Sequence, residues 1–220
     1  TPLVANFGIR TDVDTASRPS VVFISDSSYA ERLPTRGCAA SGTLRLIDGA
    51  TCRTQASALA PGDRLNSSVT PAIGDLDGDG RPEVVAAAAN GGIIAFRVDP
   101  MTATVTRLWK STLPGGAEDT SGATLCSWGG ISLVDLDDDG MPEVLHEGVV
   151  WSSRGVRLSA VPGWAQVTAG SPMIAADVDA DGRVELVDSQ GTWEWNRATN
   201  AFVRETYDTR TDRSRPAAHT

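Results

Sequence analysis

Three stretches of this 220-residue chain set aspartates at alternate positions and then close on a glycine. They are Asp75, Asp77 and Asp79 before Gly80; Asp135, Asp137 and Asp139 before Gly140; and Asp177, Asp179 and Asp181 before Gly182. A glutamate follows at the ninth position of each: Glu83, Glu143 and Glu185. Calcium is a hard cation that takes roughly six to eight oxygens, and carboxylates at positions 1, 3 and 5 of a short loop wrap around one centre. Position 7 offers a backbone carbonyl, so its side chain is free to vary, as Arg81, Met141 and Arg183 do. Glycine at position 6 permits the left-handed turn that closes the loop. The expected ligand sets are Asp75, Asp77, Asp79, the Arg81 carbonyl and Glu83; Asp135, Asp137, Asp139, the Met141 carbonyl and Glu143; and Asp177, Asp179, Asp181, the Arg183 carbonyl and Glu185. About three calcium ions are therefore expected. Without a cation, carboxylates this close repel one another and disfavour the fold. A solvated acidic turn does not account for three copies at one spacing. Magnesium suits the pattern less well, because it resists dehydration and rarely takes an all-protein cage.

An EF-hand begins in the same way, but it needs flanking helices and a bidentate glutamate at position 12. Position 12 here is Ala86, His146 and Asp188, and the residues after each loop are rich in valine and leucine. The loops are therefore read as connections between antiparallel strands. A decayed fourth copy starts at Asp12. It keeps Asp12 and Asp14 but has Ala16, Ser17 and Ser20 at positions 5, 6 and 9. Strand, turn and strand are expected there, without calcium.

The four copies start at residues 12, 75, 135 and 177, a repeat of irregular spacing. In the intact copies an apolar run leads in (Pro71–Ile73, Ile131–Val134, Pro172–Ala175) and another leads out from the glutamate. A glycine-containing turn and further runs follow, such as Gly91–Phe96 and Val105–Trp109, or Gly191–Trp195 and Ala201–Glu205. That is about four short strands per repeat, the period of a propeller blade, and such a unit must stack on neighbours to bury its faces. Insertions rich in glycine, proline and serine are read at residues 32–40 and 114–127. Residues 1–208 are taken as the repeat region and 209–220 as a flexible tail.

Composition agrees with an all-β chain. Gly 22 and Pro 12 punctuate short Val/Ile/Leu runs, Lys110 is the only lysine, and 40% of residues are hydrophobic, enough for a core. A net charge of −9 argues against nucleic acid as a partner, which needs a basic face. No run approaches the roughly 20 apolar residues of a membrane span. No signal peptide is visible, and Thr1 opens the chain without methionine, which fits a mature form or an excised fragment. Cys38 and Cys52 lie 14 apart around a strand-like stretch. They are candidates for a disulfide that would contribute about 3 kcal/mol. Cys126 is left over.

No enzyme is expected. The chain has no Gly-x-Ser-x-Gly, His-Glu-x-x-His or phosphate loop. Its two histidines are His146, on an outgoing strand, and the near-terminal His219. Six tryptophans beside two tyrosines suggest either packing between sheets or a sugar-binding face, with packing favoured. Trp193 and Trp195 alternate on one strand and project from one face.

The unit from Pro71 to Val85, with its recurrences, resembles the FG-GAP (VCBS-type) repeats of integrin α-subunit-like β-propellers. The resemblance runs from about Leu3 to Tyr207. It implies a secreted or cell-surface protein acting in adhesion, in binding an unknown protein or glycan, or as a structural module of a larger exported protein. That family usually has seven blades, and four repeats leave three arrangements open: a fragment, an incomplete propeller completed by a homodimer, or a four-bladed ring.

Overall fold

The computed structural model describes residues 1–10, 17–26, 42–58, 60, 62–121, 129–160, 174–188 and 191–205. They form sixteen strands in four antiparallel four-stranded sheets, and no helix. The first sheet holds β1 (Leu3–Ala5), β2 (Ser20–Ser25), β3 (Thr43–Asp48) and β4 (Thr54–Ser57). The second holds β5 (Ala72–Gly74), β6 (Glu83–Ala87), β7 (Ile93–Asp99) and β8 (Thr104–Lys110). The third holds β9 (Ser132–Val134), β10 (Glu143–His146), β11 (Val149–Trp151) and β12 (Arg157–Ala160). The fourth holds β13 (Ile174–Ala176), β14 (Glu185–Asp188), β15 (Gly191–Asn196) and β16 (Ala201–Glu205). Within each sheet every strand pairs with its chain neighbour.

The inner strands read as continuous apolar runs because both of their faces are covered. Successive strand residues point to opposite faces. Val84, Ala86, Ile94 and Phe96 accordingly face the first sheet, where they meet Val22, Leu44 and Leu46. Val85, Ala87, Ile93 and Ala95 face the third sheet and meet Val144, Val149 and Trp151. From the third sheet Leu145 and Val150 face the fourth and meet Leu186, Trp193, Trp195 and Phe202. The molecule is thus a row of four sheets joined by three apolar layers.

Four sheets closed into a ring would need four such layers. The described residues form three, and the outward faces of the end sheets keep Val4, Ile174 and Val203 at 67%, 60% and 54% exposure. The expected integrin-like propeller, and the four-bladed ring in particular, is therefore corrected, for the described residues, to a row of four sheets with no closed sheet among them. No helix of the described residues is long and apolar enough to cross a membrane.

The decayed copy keeps its place in this scheme. Ser20 opens β2 and pairs with Ala5, just as Glu83 pairs with Gly74, Glu143 with Val134 and Glu185 with Ala176. The Ser20 hydroxyl is buried and donates to Gln55 Oε1 at 2.6 Å, a neutral contact where the other copies place a carboxylate. Asp12, Asp14 and Ala16 lie outside the described residues, as do residues 32–40 and 122–127 of the inserted stretches and the 209–220 tail.

Trp151 ties the middle of the row together. It is fully buried between the second and third sheets, and its Nε1 donates to the buried Asp119 carboxylate at 2.8 Å. Trp151→Ala would leave both a cavity and an unpaired acceptor, and is expected to cost about 3–5 kcal/mol. Urea unfolding with calcium present throughout is the measurement.

Candidate metal centres

Each acidic loop spans the turn between the first two strands of a sheet, and its hydrogen bonds recur copy by copy. The position-1 aspartate binds the far side of its own loop. Asp75 Oδ2 accepts from Gly80 N at 2.8 Å, Asp135 Oδ2 from Gly140 N at 2.9 Å and Asp177 Oδ2 from Gly182 N at 3.0 Å. The position-5 aspartate accepts from the position-7 amide: Asp79 from Arg81 at 2.9 Å, Asp139 from Met141 at 2.7 Å and Asp181 from Arg183 at 2.9 Å. These bonds hold the carboxylates inward, with the other lone pairs left for a cation.

The position-9 glutamates are the anchors. Glu83, Glu143 and Glu185 are buried, at 0%, 4% and 1% exposure, and each is the first residue of a core strand. Each Oε2 accepts from the position-2 amide: Leu76 at 3.0 Å, Leu136 at 2.9 Å and Val178 at 2.7 Å. Glu185 Oε1 is buried without a hydrogen-bond partner. An unpaired buried carboxylate oxygen is costly unless a cation balances it.

In the third loop Asp177, Asp179, Asp181 and Glu185 each bring one oxygen within 4.8 Å of the others. In the first loop Asp75, Asp77 and Glu83 do so, and in the second Asp135, Asp137 and Glu143. Asp79 and Asp139 stand outside these closest groupings, although Asp181, which makes the same bond to its position-7 amide, stands inside. The side chains at position 7 take no part in the groupings. The oxygen-only donor sets suit calcium better than zinc, which prefers nitrogen and sulfur.

Both position 4 and position 6 of each loop turn left-handed. Gly80, Gly140 and Gly182 have φ of 78°, 87° and 86° at position 6, as the sequence pattern requires. Position 4 was not singled out by sequence. It carries Gly78 at 74°, Asp138 at 59° and Ala180 at 62°. The glycine in the first copy was the available signal.

Burial dominates the electrostatics. It pushes the Glu143 carboxyl up from the ordinary 4.5 to about 7, with Asp137, Asp139 and Asp135 adding to the rise and the Leu136 amide opposing it. Burial likewise raises Glu83 and Glu185. Asp75 moves the other way, chiefly because the Gly80 amide donates to it. His146 is buried against the Gly130 carbonyl and is pushed down to about 4 by desolvation. It stands as a neutral core residue at neutral pH.

Trp151, Trp193 and Trp195 are buried in the layers between sheets, which agrees with the packing reading. Trp109 is half-buried beside a cleft of about 570 Å³ that runs between the first and second loops, past Leu108, Asp77, Asp137 and Ser153. Cys52 carries a free, exposed thiol. Cys38, its candidate partner, and Cys126 lie outside the described residues.

No family model and no curated protein matches this chain. Solved structures do. The V. cholerae biofilm matrix protein Bap1 aligns with a TM-score of 0.60 at 21% identity, over 93% of this chain and 30% of that one. The Bacillus licheniformis rhamnogalacturonan lyase PL11 aligns at 0.59 and 16%, over 93% and 39%. The rhamnogalacturonan lyase YesW aligns at 0.56 and 15%, over 91% and 39%. The chain thus spans well under half the length of these structures, and at such identities the likeness is one of fold. The resemblance to integrin-like FG-GAP proteins is corrected by these findings. The acidic loop answers to the coordination demands of an ion, which any suitable hairpin can meet, so it does not by itself identify a family.

Two outcomes follow from the loop geometry. Ala180→Gly removes a left-handed alanine and is expected to stabilise the protein by about 1 kcal/mol in urea unfolding. The second concerns pH. A carboxyl whose folded pKa is raised holds its proton more tightly when folded, so the stability this confers is present below the unfolded value and is lost as pH rises through the folded one. In EDTA the urea midpoint is expected to fall between about pH 4.5 and pH 7, and Glu143→Gln to shrink that fall.

Proposed function

We propose that this chain is a calcium-stabilised, non-enzymatic binding module of an extracellular protein that works on or within polysaccharide. One observation carries the calcium reading: three loops that each set aspartates around a buried glutamate, one of them with an unpaired carboxylate oxygen. Calcium would join the two strands that each loop connects and offset the repulsion among the carboxylates. Its role would then be structural, and its binding energy would add to folding stability. The extracellular and carbohydrate-related setting is supported by the biofilm matrix and rhamnogalacturonan lyase proteins that share the fold.

A catalytic role has little support among the described residues. The clustered carboxylates belong to the loops, and the buried His146 is too poor a base for general acid–base work near neutral pH. The ligand-binding reading rests on the cleft beside Trp109, where an aromatic face stands next to two loops. A second reading, a structural module with no ligand of its own, is favoured by the burial of Trp151, Trp193 and Trp195.

Isothermal titration with calcium is expected to show up to three bound ions. Saturating each site at about 100 times its Kd is expected to raise stability by about 2.7 kcal/mol. An unchanged melting curve on moving from EDTA to calcium would sink the calcium reading. A glycan array decides between the two roles. Sugar binding lost in Trp109→Ala supports the binding module, and silence across acidic and neutral polysaccharides supports the structural one.

A further inference from the structure

The three loops are alike within themselves but face different residues on the neighbouring strand. Glu185 pairs across the sheet with Glu194. In the second sheet the residue opposite Glu83, one step beyond the Val84–Phe96 pair, is Arg97. In the third sheet the residue opposite Glu143, one step beyond Val144–Trp151, is Ser152. One register position thus carries a cation, a neutral hydroxyl and an anion in turn.

Arg97 reaches into its loop. Its guanidinium donates to Asp77, approaches Glu83 Oε1 at 3.5 Å through Nε, and lies 3.9 Å from Asp79 Oδ2. It therefore touches three of the four loop carboxylates while only 37% exposed. Among the described residues no other loop has an arginine across three of its carboxylates. Ser152 is neutral, and its hydroxyl accepts from the Val156 amide. In the third loop Arg183 bonds Asp181 at 2.6 Å but also bonds Glu194, so the added acid and the arginine offset each other. A Ca²⁺ ion entering the first loop has to displace a guanidinium that spans three of its carboxylates, whereas in the third loop Arg183 holds Asp181 alone and in the second Arg197 pairs with Asp138, outside the expected ligand set.

Resting on the calcium reading above, we infer that Arg97 is a tethered competitor for the ion, making the first loop the weakest of the three sites and the one that stays held together without calcium. Opposite charges a few ångströms apart near a protein surface interact by several kcal/mol at most, enough to separate the site affinities by about tenfold or more. The first loop would then fill last, as calcium rises, while the second and third are already loaded. The second sheet sits between two apolar layers, so an internal counter-ion there would keep the middle of the row ordered when calcium is scarce.

The test uses the full chain, with calcium as the titrant, in three forms: unaltered, Arg97→Gln and Ser152→Arg. Isothermal titration is expected to resolve two tighter sites and one weaker site in the unaltered protein. Arg97→Gln is expected to strengthen the weak site about tenfold or more, and Ser152→Arg to weaken one of the tight ones by a similar factor. Thermal unfolding supplies the second readout. Arg97→Gln is expected to lower Tm in EDTA, where the loop loses its internal cation, and to leave it equal or higher in saturating calcium. A loss of Tm under both conditions marks Arg97 as ordinary packing and overturns the inference. Three equivalent sites, unmoved by Arg97→Gln, also overturn it while leaving the calcium reading intact. No calcium binding by any form removes both.

Discussion

A carboxylate buried at the start of a core strand is the constraint on which this structure turns. Glu83, Glu143 and Glu185 are nearly inaccessible, yet each stands directly before apolar residues that fill the layers between sheets. The position-2 amide satisfies one oxygen of each. The aspartates of the same loop crowd the other side with negative charge, and burial already makes ionisation costly. Carboxylate clustering and core packing therefore meet at one residue in each of the second, third and fourth sheets. Shifting that strand by one residue would turn the glutamate and every apolar residue after it to the opposite face. The loop and the core fix each other's register.

The same coupling explains what could be read from the amino-acid sequence. The loops were legible because positions 1, 3, 5, 6 and 9 carry the spacing that an ion would require, and that spacing survives in one dimension. The strands were legible because the runs from Val84 and from Ile93 alternate between two buried faces. Even the decayed copy could be placed, since Ser20 keeps the register position of the lost glutamate. Family was a different matter. The loop motif reports the ion, and hairpins in other frameworks answer the same demand, so the integrin-like assignment went further than the motif supports.

The arrangement of the sheets was out of reach for a related reason. Strand pattern says that both faces of β6 and β10 are covered, but it does not say how many layers the row contains. Whether the row closes depends on what meets the outward faces of the first and fourth sheets, where Val4, Ile174 and Val203 stand at the surface. Those residues look no different in sequence from the buried valines of the inner strands. The tryptophans carry the same ambiguity. A Trp pair at alternate positions fits a sugar platform or an inter-sheet layer, and the presence of the third sheet against Trp193 and Trp195 decides for the layer.

Differences among the loops needed register as well as motif. By sequence the first loop is the most regular copy, with glycine at both left-handed positions, and it would be ranked the best ion site. Cross-strand pairing reverses that order. Arg97 lies fourteen residues beyond Glu83, too far for a loop motif to include, yet the short hairpin of β6 and β7 lays it over the carboxylates. The second loop carries an aspartate at a strained position 4, paired with Arg197, and the residue across the sheet from its glutamate is Ser152. Backbone ease and electrostatic need are thus distributed in opposite directions across the copies. The loop with glycine at both left-handed positions also carries an arginine against its carboxylates. On the calcium reading proposed above, a repeat whose units diverge in this way is not redundant: one unit would keep the row together, and the others would tie its rigidity to calcium.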